Sequence, residues 1–457
     1  MRVSRGVQQG VPAGFLGLSV SDSEMGDYAN APAFPRMVAV IHPYGGVFLL
    51  RVGGQIADRM VWTGAQRLIA PKFTIPRPYV VGPGWMDQLA GMAARTHSHV
   101  ILDVNAAAHS PAADAALVSA ARRTLRSRLT GLAIGNEPDL YGRDLVGDDR
   151  HPGAWAHGFD PRDYARLFAE LAPAVRGAAP GVPLLGPETA YPGQRWSQTL
   201  LDAQVPLGEL AVHTYPMLGC SQPGSYRYPT VAGYLSDRTL NLWTGLDKRV
   251  EEIAQEHDVP LRVTELGAAA CDGIPGVTNS EATSLWVINQ LFSLACDGIV
   301  GVNVHVRSSG ISSALQVSAG GVIQAQPLFY GLALFARAVG PHAQILRETG
   351  SPVEQLHVWT VASTLGLRTV AVNTSRRAQR ITLLAPAHGD ALTQTLTGPS
   401  PAATRATFDG QTLSSDGTWQ GHTRTGRIAE RHGGWTVTVP ADSAQLVAWQ
   451  SSSSEPR

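Results

Sequence analysis

Cysteine is almost missing from this sequence. Three residues in 457 are too few for a disulfide scaffold, and no CxxC or CxxH spacing suggests zinc. An excess of one charge is missing too: 36 Lys and Arg balance 36 Asp and Glu. Without a dense basic run, nucleic-acid binding has no electrostatic footprint. No stretch approaches the roughly 18 apolar residues of a membrane span. The first twenty residues lack a charged end followed by an apolar core, so no secretion signal is read. The expected location is cytoplasmic, or secreted with a signal removed. What remains, 44% hydrophobic and 16% charged residues, marks a globular chain long enough for two sizeable cores.

Short apolar runs of the kind buried in a parallel sheet recur at Phe15–Val20, Val47–Val52, Val100–Val104, Leu132–Asn136, Val182–Gly186, Leu210–Thr214, Leu261–Glu265 and Ile299–His305. Helical patterns lie between them. Asp160 can cap a helix that Pro161 opens, with Tyr164, Leu167, Phe168, Leu171 and Val175 as its apolar stripe. Other stripes run through Ala282, Leu285, Trp286 and Phe292, and through Leu117, Ala120, Ala121 and Leu125. Eight strands alternating with helices predict a (β/α)8 TIM barrel over residues 15–338. The long links (Pro138–Phe159, Tyr215–Ser236, Leu266–Ser280 and Arg307–Pro327) all follow strands, the side on which barrel enzymes build their sites.

After the barrel the runs become short and alternating, at Val353–Val361, Leu367–Asn373, Gln379–Leu384, Ala391–Leu396, Trp435–Val439 and Ala444–Trp449. This predicts an antiparallel β-sandwich over 339–450, to which residues 1–14 could add a strand. Residues 451–457 read as a disordered polar tail.

Two strand ends carry chemistry. The fourth run closes on Asn136-Glu137-Pro138 and the seventh on Glu265, which gives paired carboxylates at strand tips. Arg51, at the end of strand two, could keep Glu265 charged by proximity or form a structural ion pair. His213 and His305 lie at strand ends, as substrate contacts or as structural donors. Asp22 and Asn105, past strands one and three, are candidate hydroxyl binders. Trp155, Tyr226 and Tyr228 are loop aromatics, either stacking platforms or anchors. Cys220 and Cys271 fall in loops on one face, as a possible disulfide or as two free thiols; a bridge would favour export. Cys296 reads as core. The His97-Ser98-His99 pair precedes strand three, at the opposite end from the long loops, so no metal site is expected.

These residues also carry a resemblance. Asn136-Glu137-Pro138 with Glu265 is similar to the signature of the large barrel clan of retaining glycosidases. Phe15-Leu16-Gly17-Leu18-Ser19, the run Leu50 to Asp58, Gly301-Val302-Asn303-Val304-His305, and Pro275-Gly276-Val277 before Leu285-Trp286 resemble glycoside hydrolase family 79. That is the β-glucuronidase and heparanase group. The resemblance implies Glu137 as general acid/base, Glu265 as nucleophile, Tyr215 as a hydrogen-bond donor to the nucleophile, and Asn136 on the sugar 2-hydroxyl. It implies no cofactor, a carbohydrate partner, and a monomer or small homo-oligomer.

One loop departs from the family. Glucuronate-binding relatives tend to place a Tyr and a Lys after the nucleophile, whereas Leu266–Gly276 contains no Lys, Arg or Tyr, and Asp272 would repel a uronate. The amides of Gly273 and Gly276, or Arg227 and Arg307 from other loops, could replace them. A neutral-sugar β-glycosidase (glucoside, galactoside or xyloside) and a catalytically silent carbohydrate-binding protein are the alternatives.

Overall fold

The structure is a computed structural model that describes residues 2–63, 78–141, 158–190, 193–350 and 353–449. Its centre is a closed eight-stranded parallel barrel. The strands are β1 (Leu16–Ser21), β2 (Leu49–Gly53), β3 (His99–Val104), β4 (Leu129–Ile134), β5 (Leu184–Thr189), β6 (Glu209–Thr214), β7 (Leu261–Leu266) and β8 (Gly301–Val306). Each pairs in parallel with the next, and β8 closes on β1 through Val302↔Leu16 to Val306↔Val20. The eight apolar runs of the sequence are these strands, shifted by no more than a few residues, because each is buried on both faces.

Local chemistry sets the helices. In Pro161–Ala178, the Asp160 carboxylate accepts from the amides of Arg162 and Asp163 while Asp163 reaches back to the Asp160 amide, a capping box with Pro at its first position. The helix Glu281–Cys296 differs from its single-stripe reading. Residues 281–295 are all buried, because the barrel lies on one side and the sandwich on the other. Phe292 stacks on Trp359 of the sandwich at 5.5 Å, and the Trp359 indole donates to Asn289 at 2.9 Å. Barrel and sandwich side chains therefore share one apolar core.

The main sandwich sheet runs Arg2–Gly10, Gln344–Thr349, Leu356–Ser363, Gly366–Asn373, Ser443–Trp449, Ala391–Thr397 and Thr407–Phe408, with Gly426–Ile428 pairing beside Ala391–Thr397. The N-terminal strand pairs antiparallel with Gln344–Thr349. A second, two-stranded sheet pairs Gln379–Leu383 with Trp435–Val439. Among the described residues, no helix is long and apolar enough to cross a membrane.

Candidate active site

The tip of β4 is shaped by its backbone. Gly135 (φ +77°) and Glu137 (φ +48°) both adopt the left-handed region. A Cβ on Gly135 would lie 2.8 Å from Ala106 Cβ and 2.9 Å from the Tyr141 hydroxyl, so only glycine fits. The turn is pinned by the Glu137 amide, which donates to the Glu188 carbonyl at the tip of β5 at 3.0 Å. The Asn136 amide donates to Asp58 at 3.3 Å. Asp58 is itself fully buried, and desolvation pushes its carboxyl up to about 7 against hydrogen bonds from Tyr141 and the backbone.

Arg51 is the hub beneath the site, with no exposed surface. Its Nε and Nη2 grip Asp103 at 3.1 and 2.6 Å. Nη2 also donates to Asn136 Oδ1 at 2.8 Å and to Glu188 at 2.5 Å. Nη1 donates to Ser19 at 3.2 Å and to Glu265. The Arg51-Val52-Gly53-Gly54 run has a steric basis: a Cβ on Gly53 would overlap the Asp103 carboxylate at 1.8 Å. Asp103 can then accept from the Gly54 amide at 3.1 Å.

Glu137 and Glu265 converge across this hub. One oxygen of each and a ring nitrogen of His213 lie within 4.8 Å of one another. The Tyr215 hydroxyl donates to Glu265 Oε2 at 2.5 Å. His213 Nδ1 sits 3.0 Å from Glu137 Oε1 and 3.7 Å from Glu265 Oε2. His305 Nδ1 lies 3.2 Å from Ser19 Oγ and 3.6 Å from Glu265 Oε1. Burial opposes charge on Glu265, yet His213, His305 when protonated, Arg51 and the Tyr215 hydroxyl outweigh it and hold the carboxyl far below its usual range. Burial likewise opposes protonation of His213, but Glu265, Glu137 and Glu188 push it up to about 10. For His305 desolvation wins over Glu265, and its ring is shifted down, toward the neutral form.

A pocket of about 570 Å³ opens over the pair, lined by Asn136, Glu137, Tyr215, Glu265 and His305 and walled by residues of the long loops. Among the described residues, Glu137, His213 and Glu265 are also the one group spaced to hold a metal ion.

Several expected contacts fall elsewhere. Asp22 is fully buried, accepting from the Ser23 amide at 2.8 Å, and is not among the pocket-lining residues. Asn105 spends its side chain on the Met60 carbonyl and the Ala108 amide, both at 2.9 Å. Asn105 thus has both ends of its amide bonded to backbone, while Asp22 Oδ2 is buried without a hydrogen-bond partner among the described residues. The Gly273 amide donates to the Cys271 carbonyl and the Gly276 amide to Asn279, both at 2.7 Å; neither amide is left for an anion. Arg307 lines the pocket but pairs with Asp272 at 2.5 Å and Glu24 at 3.5 Å. Arg227 also lines it, donating to the Tyr215 carbonyl at 2.5 Å. Cys220 and Cys271 are bonded, their Cα atoms 5.7 Å apart, and both line the pocket. Tyr226 is 60% exposed, with the Arg238 guanidinium 5.7 Å from its ring; Trp155 lies outside the described residues.

Glu188, Asp103, Ser19 and Gln55, whose Nε2 is 3.4 Å from Glu137 Oε2, were not singled out by sequence reasoning. Asp103 had a signal: it is an ionisable residue inside an apolar strand. Glu188 had one as well, being an acid at the end of β5, past the apolar run.

No family model matches the chain, and no curated protein matches it in sequence. Solved structures do share its fold. A 4-O-α-L-rhamnosyl-β-D-glucuronidase from Fusarium oxysporum 12S is 17% identical with a TM-score of 0.75, covering 98% of this chain and 100% of that one. A family 51 α-L-arabinofuranosidase from Bifidobacterium longum is 14% identical at a TM-score of 0.70, covering 98% and 99%. A GH30 endoxylanase from Clostridium papyrosolvens C71 is 14% identical at 0.59, again covering 98% and 99%. The chain thus shares its fold, barrel and sandwich together, with these glycoside hydrolase structures.

Proposed function

We propose that this chain is a retaining β-glycoside hydrolase acting on a β-glucuronide or a related β-glycoside, in the manner of family 79. The observation that carries the reading is the approach of Glu137 and Glu265 to within 4.8 Å across one pocket. Retaining enzymes hold their carboxyls about 5–5.5 Å apart, too close for an intervening nucleophilic water. Glu265, kept ionised, attacks the anomeric carbon while the bond to the leaving oxygen breaks and Glu137 delivers its proton there. A water then enters, Glu137 takes its proton, and the ester to Glu265 is released with retained configuration. Asn136 supports the 2-hydroxyl: it lines the pocket, and its Nδ2 is buried with no partner among the described residues.

The glucuronide reading draws on Arg227 and Arg307 in the pocket wall and on the activity of the Fusarium neighbour. A neutral sugar is the second reading, favoured by Asp272 in the same wall and by the spent amides of Gly273 and Gly276. A panel of nitrophenyl β-glycosides at equal concentration separates the two. Hydrolysis confined to neutral sugars excludes the uronide; release of the α-anomer first, followed by NMR, excludes retention.

A further inference from the structure

The buried carboxyl of Glu188 has no place in the reaction just described, and it is not among the pocket-lining residues. Yet it touches both sides of the site. Its Oε2 is 2.5 Å from Arg51 Nη2, and Arg51 is the cation bonded to Glu265. The same oxygen is 3.8 Å from His213 Nε2, and the other nitrogen of that ring bonds Glu137. The Glu188 carbonyl accepts the Glu137 amide at 3.0 Å. Glu188 itself stands at φ +51°, a left-handed conformation that a non-glycine residue holds only when its surroundings over-determine it.

We propose that Glu188 is the positioning residue that joins the two arms of the site, holding Arg51 against Glu265 and His213 against Glu137. The inference rests on the reading of those two glutamates as the reacting pair. Three charges neighbour Glu188: Arg51 from β2, Asp103 from β3 and His213 from β6. Asp58 and the Tyr164 hydroxyl also interact with it electrostatically. Arg51 is already shared with Asp103 and Glu265. Beside Glu265 and Glu137, the Glu188 carboxylate favours the protonated ring of His213; it stands 3.8 Å from Nε2, a nitrogen with no hydrogen-bond partner among the described residues.

The test compares Glu188→Gln, which keeps the shape and removes the charge, with Glu188→Asp, which keeps the charge and withdraws it by one methylene. The first readout is the ring titration of His213 by NMR, assigned by its loss in a His213→Gln variant. An opposite charge at this distance moves a titration by about one unit or more. Glu188→Gln is therefore expected to lower that of His213 by at least about one pH unit, and Glu188→Asp by less. In Glu188→Gln, kcat falls about tenfold or more while KM changes less than about threefold, since misplacement rather than lost substrate contact is the cause.

An unmoved His213 titration in a folded Glu188→Gln variant overturns the proposal. If that variant does not fold, Glu188→Asp decides: unchanged His213 titration together with unchanged kcat overturns it. The titration needs no turnover. If Glu265→Gln keeps wild-type turnover, the catalytic reading falls by itself, and the hold of Glu188 on His213 is still decided by the NMR result.

Discussion

Arg51→Lys is the perturbation that best probes how the site is held. Arg51 makes six donor contacts to five side chains: two to Asp103 and one each to Glu188, Glu265, Asn136 and Ser19. A lysine keeps the charge but offers three donors from one point, without the planar fork. At least two acceptors, among them a buried carboxylate, are left unpaired. Hydrogen bonds to charged groups contribute about 1.5–3 kcal/mol each, and breaking a buried pair costs about 3–5 kcal/mol. The expected loss is therefore about 3–5 kcal/mol, a large share of the ~5–15 kcal/mol that holds a domain together. Turnover should fall about a hundredfold, because a shift of ~1 Å in Glu265 or Asn136 costs on that order. Urea unfolding and initial rates on the best substrate of the glycoside panel measure both. Stability within about 1 kcal/mol of wild type, with kcat within about a factor of two, would refute the account of Arg51 as hub.

Further outcomes test other parts of the structure. Tyr215→Phe removes the 2.5 Å hydrogen bond that helps hold the Glu265 carboxyl down; kcat should drop about ten- to a hundredfold, and the acid limb of the pH–rate profile should move to higher pH. Glu281 is buried with both carboxylate oxygens unpartnered among the described residues, and desolvation raises it from 4.5 to about 8. Its raised pKa means that the folded state favours the protonated acid, so stability is full below 4.5 and is lost as pH rises to about 8. Glu281→Gln should abolish that loss, gaining about 3 kcal/mol at pH 7 and nothing at pH 4; equal gains at both pH values would exclude the cause. Cys220→Ser opens a bond that spans 51 positions, which should cost about 2–4 kcal/mol and raise KM more than kcat, since the bond ties two loops of the pocket wall. Equal unfolding curves with and without reductant would contradict that.

The barrel was legible because burial on both faces writes each strand as an apolar run, and among the sandwich strands Trp435–Val439 alternates strictly between buried and exposed residues. Gln344–Thr349 was not read, because its burial is confined to Ile345 and Leu346 with polar residues around them. The catalytic candidates Glu137 and Glu265 stood out by their position at strand ends, as did Arg51 and Tyr215. Asn105 occupies an equivalent position, and its amide bonds nearby backbone at both ends; a strand-end position gives the residue and not its rotamer. Glu188 and Asp103 escaped for the opposite reason. Their role lies in shared contacts to one arginine, and a one-dimensional pattern carries no record of which distant charges meet.

The most direct test of convergence on one anomeric centre is covalent trapping. A deactivated 2-fluoro β-glycoside, chosen from the best substrate class and followed by peptide mass mapping, should leave one sugar on Glu265 and none on the Glu265→Gln variant. A label on any other carboxylate, or unhindered turnover with no trapped ester, would contradict the account.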